Sequence, residues 1–161
     1  MPEVICDVSP IQYLHQVGLL DLLRLRYGAI TIPTAVAAEL REGTLRRVEL
    51  PAFETLDWMR IRQPAGGPLL PIVAELGAGE REVLALGTEA PDSLVILDDA
   101  LARQYARMLK LRLTGTLGVL LKAKETGLLP AVAPVLERLQ HLRFRMDPET
   151  RQAVLRLAGE G

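Results

Sequence analysis

The sequence predicts one three-layer α/β/α domain with a mainly parallel central sheet, and two observations carry that expectation. Short apolar runs rich in Val, Ile and Leu alternate with longer stretches of helical apolar spacing. Strands separated by helices read as βαβ units, whose strands pair in parallel between helices on both faces. The chain of 161 residues also shows no internal repeat and no low-complexity segment. That length suits one domain burying roughly 70% of its unfolded surface.

The elements follow in order. Residues 3–8, Glu-Val-Ile-Cys-Asp-Val, form a first strand with Asp7 near its carboxyl end. Ser9-Pro10 breaks it, and residues 11–25 have helical spacing that Gly18 divides into two short helices. Residues 29–32 make a second strand, stopped by Pro33. Thr34 then caps a helix to about Glu42, with Gly43 as its C-terminal stop. Residues 56–62 alternate weakly, as an edge strand does, and residues 63–71, with three Pro and two Gly, read as a connecting loop.

Gly77-Ala-Gly79-Glu80 opens the next helix, which runs to about Gly87. Val83 and Leu84 lie three and four positions after Glu80, so Glu80 leans towards the apolar face while Glu82 points elsewhere. Residues 94–97 are a buried strand ending at the pair Asp98-Asp99, and a helix continues to about Leu109. A strand at 111–114, the turn Gly115-Thr116-Leu117-Gly118 and a helix to Glu125, ended by Gly127, come next. Helices near 131–141 and 148–158 close the chain, with residues 143–146 a candidate terminal strand. The domain therefore divides into a core of about 3–127 and a C-terminal helical extension, 128–161.

Composition narrows the function classes. Apolar residues make up 49% of the chain but aromatics only 4%, so the core is aliphatic. The one cysteine, Cys6, lies within an apolar strand and cannot form an internal disulfide. No basic-then-apolar leader precedes residue 3, and no apolar run nears the ~18 residues that span a bilayer. The expectation is a cytoplasmic protein with no membrane partner. Residues 1–100 carry 8 basic and 15 acidic side chains, whereas residues 101–145 carry 9 basic and 2 acidic. An acidic half beside a basic one suits a metal site under a polyanionic substrate, and equally suits ordinary solvated surface.

The chemistry-bearing positions are acidic. Asp7 and the pair Asp98-Asp99 sit at carboxyl ends of strands, where open parallel sheets bind ligands. Glu39 and Glu80 sit on helices beside those strands, with Glu42 as the competitor to Glu39. Adjacent carboxylates repel unless a cation or water intervenes, and an oxygen-only cluster favours Mg²⁺ or Mn²⁺ over zinc. Such a site activates water and neutralises a phosphodiester in its transition state without a covalent nucleophile. His15 and His141 are isolated, and nothing resembles a nucleophile elbow. Arg103 and Arg107 share a helix face at i, i+4 spacing and are candidate phosphate-steering groups, without an aromatic platform beside them.

Five blocks in this order resemble the PIN domain family, its short prokaryotic branch of toxin-type ribonucleases above all. They are Cys6-Asp7-Val8-Ser9-Pro10, Pro33-Thr-Ala-Val-Ala-Ala-Glu39-Leu40, Gly77-Ala-Gly79-Glu80-Arg-Glu-Val-Leu, Leu97-Asp98-Asp99-Ala-Leu-Ala-Arg103 and Thr114-Gly115-Thr116-Leu117-Gly118. The resemblance implies an acidic Mg²⁺ or Mn²⁺ pocket that cleaves RNA. Asp7 matches the first metal-binding acid and Glu39 the second; Glu80 matches the acid opening the helix before the penultimate catalytic strand. Asp98 or Asp99 matches the acid after that strand, and Leu97-Asp98-Asp99 in place of the usual Thr-x-Asp leaves open which faces the metal. Ser9 matches a polar residue that supports the first aspartate, and Thr116 a second supporting position. A small antitoxin partner and a homodimer are further implications. The alternative is a PIN-fold nucleic-acid-binding module with a degenerate pocket.

Overall fold

A computed structural model describes residues 2–66 and 75–161. Five short strands form the sheet: β1 (Val4–Cys6), β2 (Ile30–Pro33), β3 (Met59–Arg62), β4 (Leu94–Ile96) and β5 (Arg112–Thr114). They lie in the order β3-β2-β1-β4-β5, and every pairing is parallel. Among the described residues eight α-helices surround them: α1 (Val8–Gln16), α2 (Asp21–Tyr27), α3 (Thr34–Leu45), α4 (Ala78–Glu89), α5 (Ala100–Met108), α6 (Thr116–Glu125), α7 (Ala133–His141) and α8 (Pro148–Leu157). Helix α4 lies across β1, β2 and β4 between α3 and α5, while α6 is the centre of a second group touching α1, α2 and α8. This is the expected three-layer α/β/α architecture. Val4, Ile5 and Cys6 are all buried, which is why β1 reads as a continuous apolar run rather than an alternation.

The order of the strands fixes where a ligand can sit. From β1 the chain moves to β2 on one side and later returns to β4 on the other, so the strand order reverses between β1 and β4. In open parallel sheets the crevice at the carboxyl ends of two such strands is the binding position. Asp7 follows β1 and Asp98-Asp99 follows β4.

Several local expectations need correction. Gly43 does not stop α3, which continues to Leu45; a Cβ at Gly43 would lie 2.5 Å from Leu50 Cδ1, so the glycine admits a packed leucine. Gly87 likewise lies inside α4, where a Cβ would meet Leu111 Cδ1 at 2.9 Å and Val95 Cγ1 at 3.0 Å. Thr34 does not cap α3 but is its first residue. The cap comes from across the layer: Thr34 Oγ1 and Ala35 N–H both donate to Glu82 Oε1, at 2.9 and 2.8 Å. Glu82→Ala is therefore expected to cost about 1 kcal/mol of stability, read by urea denaturation, although Glu82 lies 48 positions from its partner.

Residues 143–146 form no strand. Helix α7 ends at His141, Arg143 adopts φ 66°, and Phe144 turns inward to meet the Tyr13 ring edge-to-face at 5.0 Å. The loop expected over 63–71 is irregular up to residue 66, and its remainder lies outside the described residues. The C-terminal helices share the main core through Val135, Leu136, Leu139, Val154 and Leu155. Glu160 ties them down, accepting from Lys124 Nζ at 2.7 Å and from the Val132 and Ala133 N–H groups at 2.8 and 2.9 Å. Among the described residues no helix is long and apolar enough to cross a membrane.

Candidate functional site

Five of the acids singled out in the sequence line one cavity of about 740 Å³ at the strand-order reversal: Asp7, Glu39, Glu80, Asp98 and Asp99. Glu42 is elsewhere, paired with Arg46 at 2.9 Å on the exposed face of α3. Among the described residues none of the five cavity acids forms an ion pair with a Lys, Arg or His.

Helix N-termini hold most of these carboxylates. Asp7 is the N-cap residue of α1 and is 7% exposed, and its backbone N–H donates to Ile96 O across the strand-order reversal. Glu39 Oε1 accepts from Gly79 N–H in the first turn of α4, at 3.0 Å. Asp98 accepts from Thr116 N–H at 2.8 Å and from Thr116 Oγ1 at 2.6 Å, serving the start of α6, and also from Ser9. Asp99 Oδ2 accepts from Ala102 N–H at 2.9 Å and caps α5. The positive ends of four helix dipoles thus face one negative cluster.

Two glycines allow the close approach. A Cβ at Gly79 would lie 2.6 Å from Glu39 Oε1 and 3.2 Å from Asp7 Oδ1. A Cβ at Gly115 would lie 2.8 Å from Asp98 Oδ1 and 2.8 Å from Arg103 Nη1. Gly115-Thr116 carries no carboxylate of its own, but its bare backbone lets Asp98 of the neighbouring strand reach Thr116.

The helix ends do not compensate fully for the crowding. Burial, with smaller contributions from Glu80, Glu39 and Asp98, raises the Asp7 carboxyl to about 7 despite the Val8 N–H bond. Glu80 is also raised to about 7, by burial first and then by the charge of Asp99 and a hydrogen bond to it. Burial raises Asp98 as well, opposed by its bonds from Thr116 and Ser9 and by the charge of Arg103.

Crowded oxygen donors whose charge is held back by burial and mutual repulsion fit a hard divalent cation, which would relieve both. Among the described residues no group of three or more His, Cys, Asp or Glu is placed so that it could hold a metal ion. That is compatible with Mg²⁺, which keeps several waters and uses one or two carboxylates. Gly79→Ala tests the crowding: the new Cβ must push Glu39 off the Gly79 N–H. The expected result is a smaller Mn²⁺-induced rise in melting temperature, with the metal-free value changed by only a few degrees.

Arg103 and Arg107 do not line this cavity. Arg103 donates to Leu97 O at 2.9 Å and lies beside Asp98. The cavity wall instead includes residues that no local pattern singles out: Gln12, Tyr13, Arg143, Phe144 and Arg145. Their spacing of about 130 positions carries no local periodicity by which to pair them.

A family model described as DUF3368: PIN domain matches residues 3–160. The chain belongs to the PIN domain family. PIN domains are generally nucleases and typically bind Mg²⁺ or Mn²⁺. The fold is similar to that of a PilT N-terminus domain protein, SSO1118, from the hyperthermophilic archaeon Sulfolobus solfataricus P2. That likeness has a TM-score of 0.57, covers 72% of this chain and 88% of that one, and comes with 16% sequence identity. It bears on the fold alone. No curated protein matches the sequence.

Proposed function

We propose that this PIN domain is a metal-dependent endoribonuclease, working as the toxin half of a toxin–antitoxin pair. The observation that carries the nuclease reading is the convergence of Asp7, Glu39, Glu80, Asp98 and Asp99 on one cavity at the strand-order reversal. Asp7 and Asp98, just past the carboxyl ends of adjacent strands, would hold Mg²⁺ or Mn²⁺, with Glu39, Glu80 and Asp99 around them. When bound, such an ion lowers the pKa of a coordinated water and neutralises charge on the phosphodiester.

The chain's own residues fix the rest. Thr116 and Ser9 hold Asp98 in one orientation, and the α4 N-terminus holds Glu39. Glu80, balanced near pH 7 beside Asp99, is suited to take or return a proton at neutral pH. In this reading a small antitoxin protein occludes the cleft, and the chain pairs with a second copy through a helical face.

The test is cleavage of a mixed single-stranded RNA pool in Mn²⁺, Mg²⁺ or EDTA, comparing wild type with Asp7→Asn. Cleavage should require metal and fall at least about 100-fold in the variant. No cleavage and no metal-induced thermal stabilisation would sink this reading in favour of a PIN-fold module that binds nucleic acid without cutting it.

A further inference from the structure

The cavity is lined by side chains of both charges. Besides the acids it is lined by Arg143, Phe144 and Arg145, from the segment between α7 and α8. Both arginines are exposed, and among the described residues neither guanidinium group makes an ion pair or hydrogen bond. Two guanidinium groups therefore face a carboxylate cluster without neutralising it. A second cavity of about 320 Å³ is lined by Asp98, Phe144 and Arg145 as well, and extends past Gly115 to Arg103 and Thr150. The shared residues Asp98, Phe144 and Arg145 join the two cavities into one groove. Phe144 is half-buried and held perpendicular to Tyr13, which also lines the larger cavity.

We propose that Arg143 and Arg145 are the backbone clamp for the substrate strand, gripping phosphates on either side of the bond placed over the acids, with Phe144 and Tyr13 as a base-stacking wall. This rests on the nuclease reading and names the part of the chain that positions its substrate. The chemistry is that of single-strand recognition: guanidinium groups match phosphate oxygens bidentately, and aromatic rings accept any base. Carboxylates alone would repel a polyanion, so a cationic wall lining the same cavity lets the strand enter. The C-terminal extension is then part of the site, held in place by Glu160 and the shared core.

The experiment measures binding and cleavage separately on the full chain. Binding of a fluorescent single-stranded RNA oligonucleotide is followed by anisotropy in EDTA across a salt series, for wild type, Arg143→Gln, Arg145→Gln, both together, and Arg143→Lys/Arg145→Lys. Arg143→Gln keeps a non-glycine residue at φ 66°, so the backbone bears the same strain as in the wild type. Each Gln variant should weaken binding several-fold and reduce the slope of log K against log salt by about 0.7. The Lys pair should keep the slope but bind less tightly. Phe144→Leu should weaken binding roughly tenfold with the salt slope unchanged. In cleavage assays the Gln variants should raise KM far more than they lower kcat, and the Mn²⁺-induced shift in melting temperature should stay as in wild type.

A wild type that cleaves RNA, with variants of unchanged KM and salt slope, overturns the clamp and leaves the nuclease standing. A wild type that binds the strand through these arginines but never cleaves supports the clamp and overturns the nuclease. Absence of binding and cleavage alike overturns both.

Discussion

In metal-free buffer the melting temperature should fall by about 10 °C between pH 5 and pH 8.5. The cause is the pair of carboxyls held near 7, Asp7 and Glu80. In the unfolded chain such groups release their protons near pH 4. Between about 4 and 7 the folded state therefore binds protons that the unfolded state has already lost, and stability declines as the pH rises through that window. Above about 8 both states are ionised and the decline levels off.

The acid side has the opposite sign. Glu160 is lowered to about 2 by Lys124 and by the Val132 and Ala133 N–H groups, so its contribution is present above the ordinary carboxylate range and is lost on further acidification. Maximum stability is thus expected near pH 5. Asp7→Asn, a neutral isostere, should flatten the alkaline decline and raise the metal-free melting temperature at pH 8.5. Mn²⁺ should raise the wild-type value at pH 8.5 and leave the variant where it was. A wild-type melting temperature that stays level or climbs from pH 5 to 8.5 would show that these acids are neither desolvated nor crowded.

The behaviour of the acids explains why some features were legible in the sequence and others were not. A buried strand followed by a helix-capping acid is a local pattern, so Asp7, Asp98 and Asp99 could be placed from their neighbours alone. Their convergence depends on strand order, which local patterns do not contain; the family resemblance supplied what periodicity could not. Glu80 illustrates the same limit. An acid at a helix start interacts favourably with the dipole in any helix, and only the fold puts Asp99 against it. Glu82, in contrast, caps a helix 48 positions away, a role that no local pattern shows. Glycine usually marks a helix stop, which is the local reading of Gly43, yet here Gly43 makes room for Leu50 just beyond its helix, and Gly87, inside α4, makes room for Leu111. The wall formed by Arg143, Phe144 and Arg145 was the least legible, because a chain reversal after α7, with Arg143 in the left-handed region, brings it back over α1.

Asp98→Ala should act in the direction opposite to Asp7→Asn, costing about 2–3 kcal/mol. Thr116 is 0% exposed, and both its N–H and its hydroxyl donate to Asp98. Truncating the acceptor leaves two buried donors unsatisfied at the start of α6 and removes the partner of Ser9. Asp98→Asn keeps one acceptor oxygen and should lose about half as much, while Thr116→Val in the Asp98→Ala background should recover part of the deficit by removing the orphaned hydroxyl. Urea denaturation in metal-free buffer at pH 6 reads all three. The contrast in sign is the informative quantity. Two acids in a merely exposed cluster would both stabilise the chain when neutralised, by relief of repulsion. In this cleft Asp7 is a buried charge whose local donors do not offset its desolvation, whereas Asp98 is the acceptor on which a helix start depends. An Asp98→Ala variant within about 0.5 kcal/mol of wild type would mean that Thr116 finds other partners, and that Asp98 is free to move rather than fixed for holding an ion.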